Sequence, residues 1–173
     1  FGRMQQKKTL LDQDLILPIE HFYTWEKQIP QAVFLRQPIG KKWVETNYSE
    51  ASVIVRKLVT ALQNLGLQAG DQVGILSKNC SHWVLADLAI MMGGFVSVPY
   101  YASLPKAALK EVLELSNLKA LFVGKLDHWG DKEEVIPDGI EVIKFTHYSG
   151  NAAISLGHDW DEILRTHQPM EGY

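Results

Sequence analysis

A chain of 173 residues, 46% hydrophobic and 21% charged, has the composition of one folded domain with a sizeable core, which excludes a disordered chain. Its net charge of −3, without a basic stripe, gives no support to a nucleic acid partner. A single cysteine, Cys80, excludes an internal disulfide framework and suits a reducing cytosol.

Residues 1–17 read as an N-terminal tail, because Phe1–Lys8 is short, polar and basic and lacks the apolar centre of a signal peptide. Folded structure is expected over 18–173. Pro18 opens a helix through about Gln28, with Phe22, Trp25 and Ile29 on one side. Ala32–Arg36 and Lys42–Glu45 form a peripheral hairpin around Gly40. Asn47–Ser49 caps a longer helix whose apolar positions Ala51, Val55, Leu58, Leu62 and Leu65 make one amphipathic stripe, closed by Gly66.

Val73–Leu76 is a short apolar strand launched by Gly70-Asp71. Ser77–Ser81 is a polar bend, and Ser81 is placed to cap a helix that runs to about Met92. Gly93-Gly94 ends that helix, Phe95–Val98 is the next strand, and Pro99 stops it. The unit is compact enough for a parallel crossover. Leu104-Pro105 starts another helix, with Leu109, Val112 and Leu113 on its buried face. Ala120–Val123 is a strand, Lys125–Asp138 a polar surface excursion and Ile140–Phe145 a further strand. Asp159 and Glu162 suit a capping box for a last helix near Asp161–His167.

Strands alternating with helices imply an α/β fold, a three-layer subdomain with a mainly parallel sheet and flanking helices. Val73–Leu76, Phe95–Val98 and Ala120–Val123 are expected as its central strands. Trp83–Tyr101 carries one charge, Asp87, and meets a hydropathy length test for a membrane span. Gly93-Gly94 and Pro99 break it into pieces too short to cross, and buried α/β elements have the same apolar character.

No Gly-x-x-x-x-Gly-Lys-Ser/Thr and no Gly-x-Gly-x-x-Gly occurs in the sequence. Gly93-Gly94 follows a helix instead of opening one, so it reads as a helix stop and not as a phosphate cradle. Cys80 lies near a helix N-terminus, which favours a thiolate, but His82 two residues on is on a different side and is a poor activating base. Cys80 therefore reads as structural. The six histidines have no close pairing that suits a metal, so no metal ligand is assigned. Ser77-Lys78-Asn79 is the best site candidate. It follows the carboxyl end of a strand, where open α/β sheets place ligands, and Lys78 can meet an anion there. A capping bend with a solvated lysine is the competing reading.

Several short patterns recur here in a meaningful order. Thr46-Asn47-Tyr48-Ser49-Glu50 is similar to a Thr-Tyr-x-Glu helix entry with one residue inserted. Leu65–Val73 reads LGLQAGDQV, and Ser77-Lys78-Asn79-Cys80, Trp83, Gly93-Gly94 and Val96-Ser97-Val98-Pro99 follow it. From roughly Tyr23 onward the set resembles the N-terminal region of the AMP-forming acyl-CoA synthetases. Leu121–Asp127 and Trp160–Leu164 look most like the long-chain fatty acid branch. His82 departs from the acidic residue common before the Trp, and Tyr101-Ala102 replaces a Tyr-Pro or Asn-Pro pairing.

The resemblance implies a fatty acid, ATP, Mg and coenzyme A for a parent ligase. The carboxylate attacks the α-phosphate of ATP to give acyl-adenylate and pyrophosphate, and the thiol of coenzyme A then displaces AMP. The family supplies this chemistry from a Ser/Thr-Gly loop ending in Pro-Lys-Gly, later acidic motifs and a C-terminal lysine, none of which this sequence contains. It therefore implies a segment truncated before the phosphate loop, with no catalytic residue and no metal ligand to carry over. Lys78 and Asn79 remain weak cofactor-binding candidates. The segment alone is expected to be inactive and to bind ATP weakly. It is also expected to self-associate through uncovered apolar surface. The parent is expected in the cytoplasm or as a peripheral protein on the membrane face. The alternatives are another adenylate-forming ligase, with an aryl or amino acid substrate, and a standalone α/β oligomerisation or binding module.

Overall fold

A computed structural model describes residues 16–171. Apart from Ile16 and Leu17, the expected tail lies outside the described residues. The first helix, α1 (Pro18–Gln28), begins where Pro18 directs, and the Leu17 backbone N–H donates to the Glu20 carboxylate at 2.6 Å. The antiparallel hairpin of β1 (Val33–Ile39) and β2 (Lys42–Asn47) follows, and then α2 (Tyr48–Asn64). Asn47 and Glu50 form a reciprocal cap on α2, at 2.8 and 2.9 Å. The expected stripe is buried at Ala51, Val55, Leu58 and Leu62.

The rest of the chain builds one parallel sheet. Its elements are β3 (Gln72–Ser77), α3 (Ser81–Met92), β4 (Val96–Tyr100), α4 (Lys106–Leu115), β5 (Leu118–Gly124), β6 (Glu141–Lys144), β7 (His158–Asp159) and α5 (Trp160–Thr166). The strand order is β4-β3-β5-β6-β7, and every pairing is parallel. Both faces are covered, which is why β3 and β5 read as near-continuous apolar runs. Val73, Ile75, Phe122 and Ile143 pack toward α1, α2, α3 and α5, while Leu76, Leu121, Val123 and Val142 pack toward α4. At Gly74 an added Cβ would lie 2.7 Å from Leu121 Cδ1 and 3.0 Å from the Tyr100 ring, so a side chain there would displace both.

Several local features differ from the expectations. β4 is an edge strand among the described residues, not a central one, and it runs through Pro99 to Tyr100. An edge tolerates a missing N–H, so the proline does not end the strand. Lys125–Asp138 is not wholly a surface excursion. Leu126 and Trp129 are buried in the α4-side core, and a 3-10 turn spans Gly130–Val135. β7, which pairs with β6, is too short to be signalled by its own residues. At α5, Asp159 accepts from the backbone N–H groups of Asp161 and Glu162, one half of the expected box.

The last difference concerns the start of α3. Cys80 holds the N-cap position and makes no side-chain cap, while Ser81 is the first helical residue. The Ser81 N–H donates to Oε1 of Gln37, a buried residue of β1, at 3.0 Å. The hairpin therefore satisfies one of the helix's open donors. Gln37→Ala is expected to destabilise the domain by about 1–2 kcal/mol in urea unfolding, because it leaves that N–H without its partner. An unchanged midpoint would refute the assignment. Among the described residues no helix is long and apolar enough to cross a membrane, and Trp83–Tyr101 divides into α3 and β4.

Candidate functional site

The chain leaves β3 for β4 on one side and β5 for β6 on the other, so successive connections diverge between β3 and β5. Open α/β sheets bind ligands in the crevice beyond the carboxyl ends of the strands at such a point. Ser77 and Gly124 are the paired last residues of the two strands, and Lys78 and Lys125 immediately follow them. A cleft of about 660 Å³ opens here. Ser77, Lys78, Asn79, Trp83, Tyr100, Tyr101 and Lys125 line it.

Its cations are engaged within the chain. The ammonium of Lys78 lies 2.5 Å from the Asp127 carboxylate, and the Asn151 amide donates to Asp127 at 3.2 Å. The hydrogen bond from Lys78 holds the Asp127 carboxyl below the usual carboxylate range. Lys125 donates to the Asn79 carbonyl at 2.9 Å, and its ammonium lies 5.3 Å from the centre of the Tyr148 ring. Lys78 is thus neither a free anion contact nor a simply solvated side chain. Both loops are tied across the crevice by charge-assisted hydrogen bonds.

Behind the cleft lies a polar network. Nδ1 of His82 is 2.6 Å from the Tyr148 hydroxyl, and its Nε2 is 3.2 Å from Oγ1 of Thr146. Thr146 donates its proton to Asp161 at 2.8 Å. Its oxygen must then accept from the Nε2–H of His82, and with the imidazole kept neutral by burial Nδ1 accepts from Tyr148. Desolvation lowers the His82 pKa to about 4 against an opposing pull from Asp161. Burial pushes the Tyr148 hydroxyl up, and the neighbouring Cys80 adds to this. The Cys80 thiol is buried and lies 3.8 Å from the Ser77 hydroxyl, while His82 is committed to Tyr148 and Thr146.

The structure gathers Lys78 and Asn79 on one wall of the cleft, as their place after a strand led us to expect. Lys125, Tyr100 and Tyr101 were missed as site residues. The rule that found Lys78 also finds Lys125, which follows the Gly124 end of β5 in the same way. Asp127 and Tyr148, which contact Lys78 and Lys125, carry no local signal, because only the tertiary fold brings them to those lysines. The site as a whole is a small-molecule-sized cleft on a parallel α/β sheet, with amines and aromatic rings on its walls and no nucleophile–base pair among its lining residues.

Known proteins agree with that class. Residues 22–162 match the family model described as AMP-binding enzyme. A long-chain-fatty-acid–CoA ligase of Mycobacterium bovis is 32% identical over 103 residues, covering 60% of this chain and 17% of that protein. A long-chain-fatty-acid–CoA ligase of Rattus norvegicus is 32% identical over 105 residues, covering 61% and 16%. The acetoacetyl-CoA synthetase of Streptomyces lividans superposes with a TM-score of 0.73 at 19% identity, over 89% of this chain and 26% of that one, which shows a common fold. The chain belongs to the AMP-binding enzyme family. It spans about a sixth of the length of these two curated relatives.

Proposed function

We propose that this chain is the N-terminal part of an ATP-dependent long-chain fatty acid–CoA ligase that works in the cytoplasm. The observation that carries the reading is the naming of both sequence relatives as long-chain-fatty-acid–CoA ligases. The parent would use ATP and Mg to form acyl-adenylate and pyrophosphate, and coenzyme A to release acyl-CoA. Within that enzyme this segment supplies a packed sheet and the cleft at its carboxyl edge. Lys78 and Asn79 are its candidate contacts to a phosphorylated ligand. Lys78 reaches such a ligand only by giving up Asp127, which limits its net contribution to the order of an exposed ion pair, about 1 kcal/mol or less. The segment alone therefore binds ATP weakly and performs no adenylation.

The test is pyrophosphate release by the full-length protein with ATP, Mg and a panel of fatty, aromatic and amino acids. Release is expected with long-chain fatty acids. A response confined to aromatic or amino acids would replace this reading with another adenylate-forming ligase.

A further inference from the structure

The β1–β2 hairpin is anchored at its base and bare at its tip. Gln37 is buried against the start of α3, whereas every residue from Pro38 to Glu45 is exposed. The tip is not polar. Trp43 is 67% exposed, Ile39 48% and Val44 46%. Pro38 pairs with Trp43, Ile39 with Lys42 and Gln37 with Val44. Alternation along the strands therefore sets Ile39 and Val44 on one face and Pro38 and Trp43 on the other. The apolar side chains surround the tip, so a single covering surface on one face would leave the other wet.

The charges are equally one-sided. Lys41 and Lys42 sit at the turn, and no acidic residue occurs between Gln37 and Val44. The next carboxylate, Glu45, is paired with Arg36 at 2.8 Å. A chain of net charge −3 thus presents a doubly positive tip.

We propose that this hairpin tip is a contact element for an anionic lipid bilayer. Trp43 and Ile39 enter the headgroup region, and Lys41 and Lys42 meet the lipid phosphates. Tryptophan favours that interface, and lysine keeps its ammonium in water while its stem lies along apolar surface. Adjacent basic residues draw the wedge toward anionic lipid. Charge complementarity and area favour this occupant over a second copy of the chain. Two such tips repel, and a two-stranded tip offers far less than the roughly 800 Å² per partner of a stable protein interface. The proposal is independent of which acid the parent activates.

The test uses the purified chain and phosphatidylcholine vesicles made with or without phosphatidylserine. Co-sedimentation is expected only with the anionic vesicles, weakening as salt rises, together with a blue shift of tryptophan emission. Lys41→Gln and Lys42→Gln are each expected to weaken binding about fivefold. Trp43→Ala should lose most of the binding and the emission shift while its unfolding midpoint stays that of wild type. Leu115→Ser, at an equally bare position on α4, should change neither. Absence of phosphatidylserine-dependent binding, or binding that survives all three hairpin variants, would overturn the proposal. A dimer dissociated by Trp43→Ala in lipid-free buffer would also overturn it, by making the tip a self-association surface.

Discussion

Acidification is expected to destabilise this domain steeply between pH 6.5 and about 4, with His82 as the main single cause. The imidazole is held neutral in the fold with a pKa of about 4, against 6.5 when exposed. In that window the unfolded chain takes up a proton that the native state refuses. The stability contribution is complete above pH 6.5, falls as pH drops through the window, and levels off below the folded pKa. The full shift is worth about 3 kcal/mol, a large share of a small domain's stability. Urea unfolding of wild type and His82→Gln over this pH range measures it. The variant should lose most of the slope, since glutamine does not titrate and retains polar groups toward Tyr148 and Thr146. Equal slopes in the two proteins would remove His82 from the account.

Trp160→Ala should cost about 3–5 kcal/mol, as expected for truncating a buried large aromatic side chain. Trp160 is only 2% exposed, and its ring centre lies 4.8 Å from that of His82, 5.3 Å from Phe145 and 6.1 Å from Phe122. It therefore joins α5 to the α3 side of the sheet and covers the imidazole. Chemical denaturation gives the cost directly. Because the cavity would also admit water to His82, Trp160→Ala should flatten the acid limb described above. A loss below 1 kcal/mol would mean that the α5 end of the core is loosely packed.

What was legible in the sequence depended on how far apart the deciding residues lie. α2 was readable because Asn47, Glu50 and the stripe from Ala51 to Leu62 are neighbours along one helix. The character of β3 and β5 was readable because two-sided burial leaves apolar runs in each strand. Their order was not, since no residue of β4 states that it will lie at an edge, where Pro99 does not end a strand. Ser81 looked like a cap because the true partner of its N–H, Gln37, lies in a different element. The site divides in the same way. Lys78 was found from its position after a strand, whereas its ion pair with Asp127 depends on a loop beyond β5. Helical spacing does not relate His82 to Cys80, because Cys80 holds the extended N-cap position, and the burial of His82 against Thr146, Tyr148 and Trp160 is a product of the closed fold.

The strand order also sets a timetable for the growing chain. β3 is made before β4 and β5, yet in the finished sheet it lies between them. When β4 has docked, the opposite edge of β3 still faces outward, with Gly74, Ile75 and Leu76 unpaired on that side until β5 is synthesised. At ribosomal rates of about 5–20 residues per second, that edge is open for a few seconds. Because long-range parallel pairing is intrinsically slow, the interval does not end at once when β5 emerges. The nascent protein therefore passes through a period in which an apolar strand edge is open to the wrong partner, and a holding chaperone would act usefully at that stage.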